Sequence, residues 1–211
     1  MIKRTIGMVI GTILLGIGIT MHRLSLFGND TISAFNFAIV EITKIPYSIV
    51  NFSINAILLI PMFIFIRKKI NIGSIVNIVL TGIVVDLLMV IVEDFNIHVD
   101  LFIYRLLVST IGVFITAVGV ALYVQADMGL VPFDGLVIIV SNKFKLKYDI
   151  SKIIIDSIYL VSAFIISNVI LKSYAVGVFT LVSCVIYGPI IKYFGVIVNK
   201  YIYKIDKPNI K

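Results

Sequence analysis

The sequence predicts an all-α integral membrane protein. Six transmembrane helices form two inverted-topology repeats, each with three spans and a short dipping or interfacial half-helix. Three observations carry this expectation. The chain is 60% hydrophobic and only 14% charged, with a mean hydropathy of +1.14, far from a soluble domain of 211 residues. Its Ile/Val/Leu runs are continuous rather than alternating, so they read as helices and not as barrel strands. Lastly, residues 10–60 slid by 101 positions fall without a gap on 111–161. Ile10-Gly11 then lands on Ile111-Gly112, Gly18 on Gly119, Gly28 on Gly129, Tyr47 on Tyr148, Ile49 on Ile150 and Ile54 on Ile155. Matching isoleucines mean little in so apolar a chain. Glycines mean more, and three of the four in the first window find a glycine in the second. Duplication of this kind is a common construction of small transporters.

The apolar runs are roughly 5–22, 47–66, 71–92, 101–124, 150–170 and 174–198. Each is long enough to cross about 30 Å of hydrocarbon as a helix. Met1-Ile2-Lys3-Arg4 ahead of the first run resembles a signal sequence, but no small-x-small cleavage site follows, and the run reads as the first span. Gly28 to Lys44 and Asp127 to Asp149 link spans one to two and four to five. Each linker contains a shorter apolar piece, about 31–40 and 130–140, too short to cross. The whole chain, 1–211, is expected to be one membrane domain, with repeat one at about 1–97 and repeat two at about 98–211.

Charge sets the expected topology. With the first residue on side A, that side holds Lys3, Arg4, Arg67, Lys68, Lys69, Lys143, Lys145, Lys147, Lys152, Lys200, Lys204, Lys207 and Lys211. Side B holds Arg23, Lys44, Arg105 and Lys172, and Lys192 lies within a span. Thirteen against four makes side A cytoplasmic, with both termini inside a bacterial plasma membrane. Asp30, Glu41, Glu93, Asp94 and Asp100 gather on side B, which agrees. Three spans per repeat is an odd number, so the second copy enters from the opposite face. The net charge of +7 is a topological charge, and no nucleic-acid partner is expected.

Spans three and six align with a shift of 106, which sets Ser74 on Thr180, Asn77 on Ser183, Gly82 on Gly188 and Asp86 on Lys192. Gly16, Gly18, Gly82, Gly119 and Gly188 are read as close helix-packing positions. A charge in hydrocarbon costs on the order of 2.5–3.5 kcal/mol unless paired or hydrated. Asp86 is therefore expected to pair with Arg23 or Arg105, and Lys192 with Asp156, Asp134 or Asp127, either on a substrate pathway or as fold-locking ion pairs. Lys192 also lies within snorkelling reach of the interface. Asn77, Asn55 and Asn51 suit hydrogen bonds between helices, and Asn77 is also a candidate lining residue. His22 and His98 are placed at the outer edge and form neither a metal site nor a catalytic pair. Cys184 reads as a small core residue, and Tyr104, Tyr123, Tyr187, Tyr193, Tyr201 and Tyr203 as interfacial anchors. No Gly-rich phosphate loop, HExxH or G-x-S-x-G occurs, so no cofactor or enzymatic role is expected.

The segment Ala126 to Gly135 stands out. Pro132 suits the first turn of a helix, and Asp134 matches its positive end. Free N–H groups there could receive a polar or anionic group, and a plain capped surface helix is the alternative.

The pattern Ala126, Gly129, Pro132, Phe133, Asp134 resembles the YczE/YitT-like bacterial integral membrane proteins. So does Gly73-Ser74 with Asn77, Gly82 and Asp86. In that family the aromatic is often Trp, of which this chain has none. The first repeat departs further: Gly28-Asn29-Asp30-Thr31-Ile32-Ser33 lacks the proline and moves the acid. The resemblance implies a polytopic inner-membrane protein and candidate transporter of unassigned substrate.

The leading expectation is a small-molecule secondary transporter working by alternating access, with the lipid bilayer and an unidentified solute as its partners. The alternative is a non-transporting membrane partner or regulator that docks an acidic protein on Arg67-Lys68-Lys69 and Lys143 to Lys147. An intramembrane enzyme ranks last. A homodimer is compatible with so small a bundle. A polar mid-membrane cavity lined by Asp86 and Asn77 would favour transport, and a sealed core the regulator.

Overall fold

The computed structural model describes residues 2–170 and 176–203. Lys172, Lys204, Lys207, Lys211, positions 174–175 of the sixth expected span, and the side chains of Ser183 and Cys184 lie outside the described residues. Among the described residues every regular element is helical. Five helices are long and apolar enough to cross a membrane: α1 (Ile2–Ser25), α3 (Tyr47–Phe65), α4 (Ile72–Asp94), α5 (Phe102–Ala126) and α7, which runs from Tyr148 to Phe164 with an apolar continuation to Ser167. Between them stand α2 (Thr31–Thr43) and α6 (Pro132–Phe144), each of 13 residues. At 1.5 Å per residue these are about 20 Å long and cannot cross. The chain closes with α8 (Val178–Val198), whose last turn continues as a π-helix through Asn199–Tyr203.

The helices start where local chemistry lets them. Pro132 occupies the first turn of α6, where its missing N–H is not needed. In α2 the proline position holds Thr31, and Asp30 caps the helix instead by accepting the Ser33 N–H at 3.3 Å. That is why the first half-helix forms without the proline. Asn71 starts α4 by accepting the Ile72 N–H, while Ser74 Oγ receives the Asn71 N–H.

Backbone features recur at the sequence interval of 101. Left-handed residues occur at Leu26 and Asp127, Gly28 and Gly129, Lys44 and Lys145. The last pair ends α2 and α6 with N–H bonds back to Val40 O and Ser141 O. Gly28 (φ +98°) and Gly129 (φ +129°) need glycine twice over, for conformation and for space. A Cβ on Gly129 would lie 2.6 Å from Ser74 Oγ, and one on Gly28 would strike Thr180 Oγ1.

The centre of the bundle is the α1–α5 contact. A Cβ on Gly11 would sit 2.6 Å from Gly119 O, and one on Gly119 2.7 Å from Gly11 O. Further along, a Cβ on Gly18 would strike Thr116 Oγ1 and lie 3.2 Å from Gly112 O. The two backbones therefore touch, as small-residue seams in membranes allow. On this pair α4 packs against α1, and α8 against α5. Each half-helix leans on a long helix of the other half: α2 on α7, and α6 on α3. The turns before the half-helices reach across too: Gly73 N–H donates to Met128 O and Phe179 N–H to Phe27 O, both at 2.9 Å.

Gly82 and Gly188 differ. A Cβ on Gly82 would lie 2.7 Å from Ser48 Cα, whereas no described atom lies within 4 Å of one on Gly188. The reading of Gly82 as a packing position holds, and that of Gly188 does not in this conformation. Gly11→Leu should force the α1–α5 seam apart and destabilise the protein by about 1–3 kcal/mol, as overpacking does. Gly188→Ala should leave stability within about 0.5 kcal/mol. Thermal unfolding of the detergent-purified variants checks both.

Candidate functional site

Three candidate residues find partners other than those expected. Asp86 does not pair with an arginine: its Oδ2 accepts the backbone N–H of Ser48 at 3.0 Å. Pro46, the residue capping α3, offers no side-chain acceptor, and Asp86 supplies one from α4. Arg23 instead bonds Glu41 and lies over the Phe37 ring at 4.8 Å. Arg105 Nε donates to Val99 O at 2.7 Å. Arg23 and Arg105 do share a hollow of about 210 Å³ at one end of the bundle, with Glu93 and Asp100. Nor does Lys192 meet Asp156, Asp134 or Asp127; it is exposed on α8, and Asp127 is exposed at the end of α5. For Asp86, Arg23 and Arg105 the physical reason is the same: nearer partners, including main-chain groups, satisfy these charges.

Asn77 Nδ2 donates to Thr12 Oγ1 at 3.3 Å, so it ties α4 to α1. Asp86 and Asn77 therefore serve helix contacts rather than a shared cavity. His22, expected at an edge, is fully buried. Its ring stacks on Phe179 at 4.3 Å, and Nε2 meets Tyr187 Oη at 2.7 Å.

The chemistry concentrates instead where α2 meets α7 and α6. Asp156, buried on α7, accepts the Thr31 hydroxyl at 2.8 Å. Lys152, one turn earlier, brings Nζ to 3.4 Å from Asp156 Oδ2 and 4.7 Å from the centre of the Phe133 ring. Asp134, in the first turn of α6, accepts the Tyr148 hydroxyl at 3.4 Å. Asp30 lies close enough to Asp156 and Lys152 to feel their charges. An aromatic wall follows: Phe133 to Tyr159 at 5.5 Å and Phe35 to Tyr159 at 5.2 Å. Of these residues the sequence reading singled out Asp134 and Asp156. It counted Lys152 among the orienting charges and passed over Thr31.

A second polar network lies between α2 and α3. Tyr47 Oη donates to Ser33 Oγ at 3.5 Å, and Asn36 Nδ2 to Asn51 Oδ1 at 3.2 Å. Asn55 Nδ2 donates to Asn51 Oδ1 at 3.0 Å, and Asn51 Nδ2 to Ile78 O at 2.9 Å. Asn51 and Asn77 make the expected bonds between helices, whereas Asn55 bonds Asn51 within α3.

Asp86→Ala should cost about 1 kcal/mol of stability by orphaning the Ser48 N–H, whereas Asp86→Asn keeps an acceptor and should cost less than half of that. Equal losses in thermal unfolding would show that charge, not acceptance, is what Asp86 provides.

The chain is 26% identical over 192 residues to the uncharacterized protein YyaS of Bacillus subtilis (strain 168), covering 91% of this chain and 92% of that one. No solved structure matches. The YczE/YitT-like resemblance rests on its short motifs alone. A family model matches residues 2–195, nearly the whole of this multi-pass helical bundle, and the chain belongs to that family, the family of unknown function DUF6198.

Proposed function

We propose that this protein is a secondary carrier of a small solute in the bacterial plasma membrane. It crosses six times, through α1, α3, α4, α5, α7 and α8, as two inverted repeats with both termini cytoplasmic. The observation that carries the reading is the exchange of half-helices. The contacts of one half have counterparts in the other under the shifts of 101 and 106. Gly73 N–H to Met128 O maps onto Phe179 N–H to Phe27 O, and Gly11 against Gly119 maps onto Gly112 against Gly18. Contacts that map onto themselves when the halves trade places support a pseudo-twofold axis in the membrane plane, the symmetry of alternating access.

The departure from symmetry supports motion. α3 and α4 close on each other at Gly82 and Ser48, while their counterparts at Gly188 and Asp149 stand apart. Exchanging these two arrangements would move a central site from one face to the other. The alternative, a docking partner, is favoured by one observation: Arg67, Lys68 and Lys69 line a hollow of about 420 Å³ beside Ile64.

Disulfide trapping tests the exchange in a Cys184→Ser background. Ser48→Cys with Asp86→Cys, whose positions meet in the structure, should cross-link in native membranes. Their counterparts, Asp149→Cys with Lys192→Cys, should cross-link as well, because the second state is visited. If the first pair forms and the second never does, alternating access is overturned. Reporter fusions should place both termini in the cytoplasm, and opposite placement would overturn the even number of spans.

A further inference from the structure

Under the shift of 101, the network between α2 and α3 and the cluster between α6 and α7 are one arrangement built twice. Ser33 corresponds to Asp134, Tyr47 to Tyr148, Asn51 to Lys152 and Asn55 to Asp156. The bonds correspond as well. Tyr47 to Ser33 at 3.5 Å matches Tyr148 to Asp134 at 3.4 Å. Asn55 to Asn51 at 3.0 Å matches Lys152 to Asp156 at 3.4 Å. The first copy makes this arrangement with neutral side chains alone, so the backbone does not require charge there. The second copy carries three charged groups at the same places, and one of them, the Asp156 carboxylate, is buried, where a charge is costly. A cost without a structural need points to a function.

Three further features define what the charged copy would bind. Among the described residues, Lys152 is the cation that faces Asp30, Asp134 and Asp156, so the complement is positive. The structure already seats an ammonium there, with Lys152 Nζ between the Asp156 carboxylate and the face of Phe133. Among the described residues no three Asp, Glu, His or Cys side chains are grouped to hold a metal ion. The aromatic wall of Phe133, Tyr159 and Phe35 favours a cation with apolar surface.

We propose that the junction of α2, α6 and α7 is a binding site for an organic ammonium cation, with Lys152 as the tethered occupant that the ligand displaces. The identification of the solute rests on the carrier reading; the binding site itself does not. On arrival the ligand takes the Asp156 carboxylate and the Phe133 face, and Lys152 swings out into water. On departure Lys152 returns and neutralises Asp156, so the empty site never exposes a lone buried charge.

The test uses purified full-length protein and alkylammonium ions from methylammonium to tetrabutylammonium, with sodium as the control. At saturating concentration at least one alkylammonium should raise the thermal midpoint by about 5 °C. Lys152→Asn should bind it more tightly, since the competitor is gone. Lys152→Asn with Asp156→Asn, which copies the neutral repeat, should fold and lose the shift. A second measurement uses the unmutated protein. Acylation of the Lys152 amine, followed by mass spectrometry, should speed up severalfold when the alkylammonium is bound. No shift with any alkylammonium, an equal shift with sodium, weaker binding by Lys152→Asn, or unchanged Lys152 acylation would each overturn the proposal. Proteoliposome uptake separates the two readings. Binding without uptake keeps the site and overturns the carrier; uptake surviving in the double variant keeps the carrier and overturns the site.

Discussion

The backbone contact between α1 and α5 is the constraint on which the other helices depend. Lipid gives apolar helices no hydrophobic reason to associate, so the gain must come from close packing. Gly11, Gly18, Gly112 and Gly119 provide it by leaving out their own Cβ atoms, which lets carbonyls of one helix approach the backbone of the other. With the seam fixed, α4 and α8 have places on its two flanks, and the remaining space admits α3, α7 and the half-helices. A single methyl group at Gly11 or Gly119 would compete with a main-chain oxygen, which cannot rotate away.

The long elements were legible because hydropathy and length act on every residue of a span. The expected 47–66 and 71–92 became Tyr47–Phe65 and Ile72–Asp94, and the short apolar pieces became α2 and α6. Helix ends drifted outward where polar residues such as Lys3, Arg4 and Arg23 continued the turn. Partners were less legible. Asp86 was matched with arginines because sign was the only guide, yet a helix N-terminus also presents a positive end in the form of unbonded N–H groups. Ser48 belongs to such an end, and nothing in its identity announces it. Likewise, Glu41 lies 18 residues from Arg23, and only the bend between α1 and α2 brings them together.

Lys152 shows the opposite case, a signal present but not used. Its place near the end of a span gave it an adequate role as an orienting charge. The shift that aligned the glycines also set it on Asn51, and set Asp156 on Asn55. Duplicated chains thus contain an internal control. Where both copies keep a polar pair but only one keeps the charge, architecture and chemistry come apart, and the neutral copy shows what the fold alone demands.

The bond between Thr31 and Asp156 spans 125 residues of chain. At ribosomal rates of 5–20 residues per second, the second partner follows the first by about 6–25 s. For that interval α2 is already made but has no α7 to lean on. A half-helix with Asp30, Thr31, Ser33 and Asn36 near one end must wait at the lipid surface or against the translocation machinery. The two half-helices therefore differ in order of assembly: α6 finds α3 already made, whereas α2 can dock only once α7 has emerged.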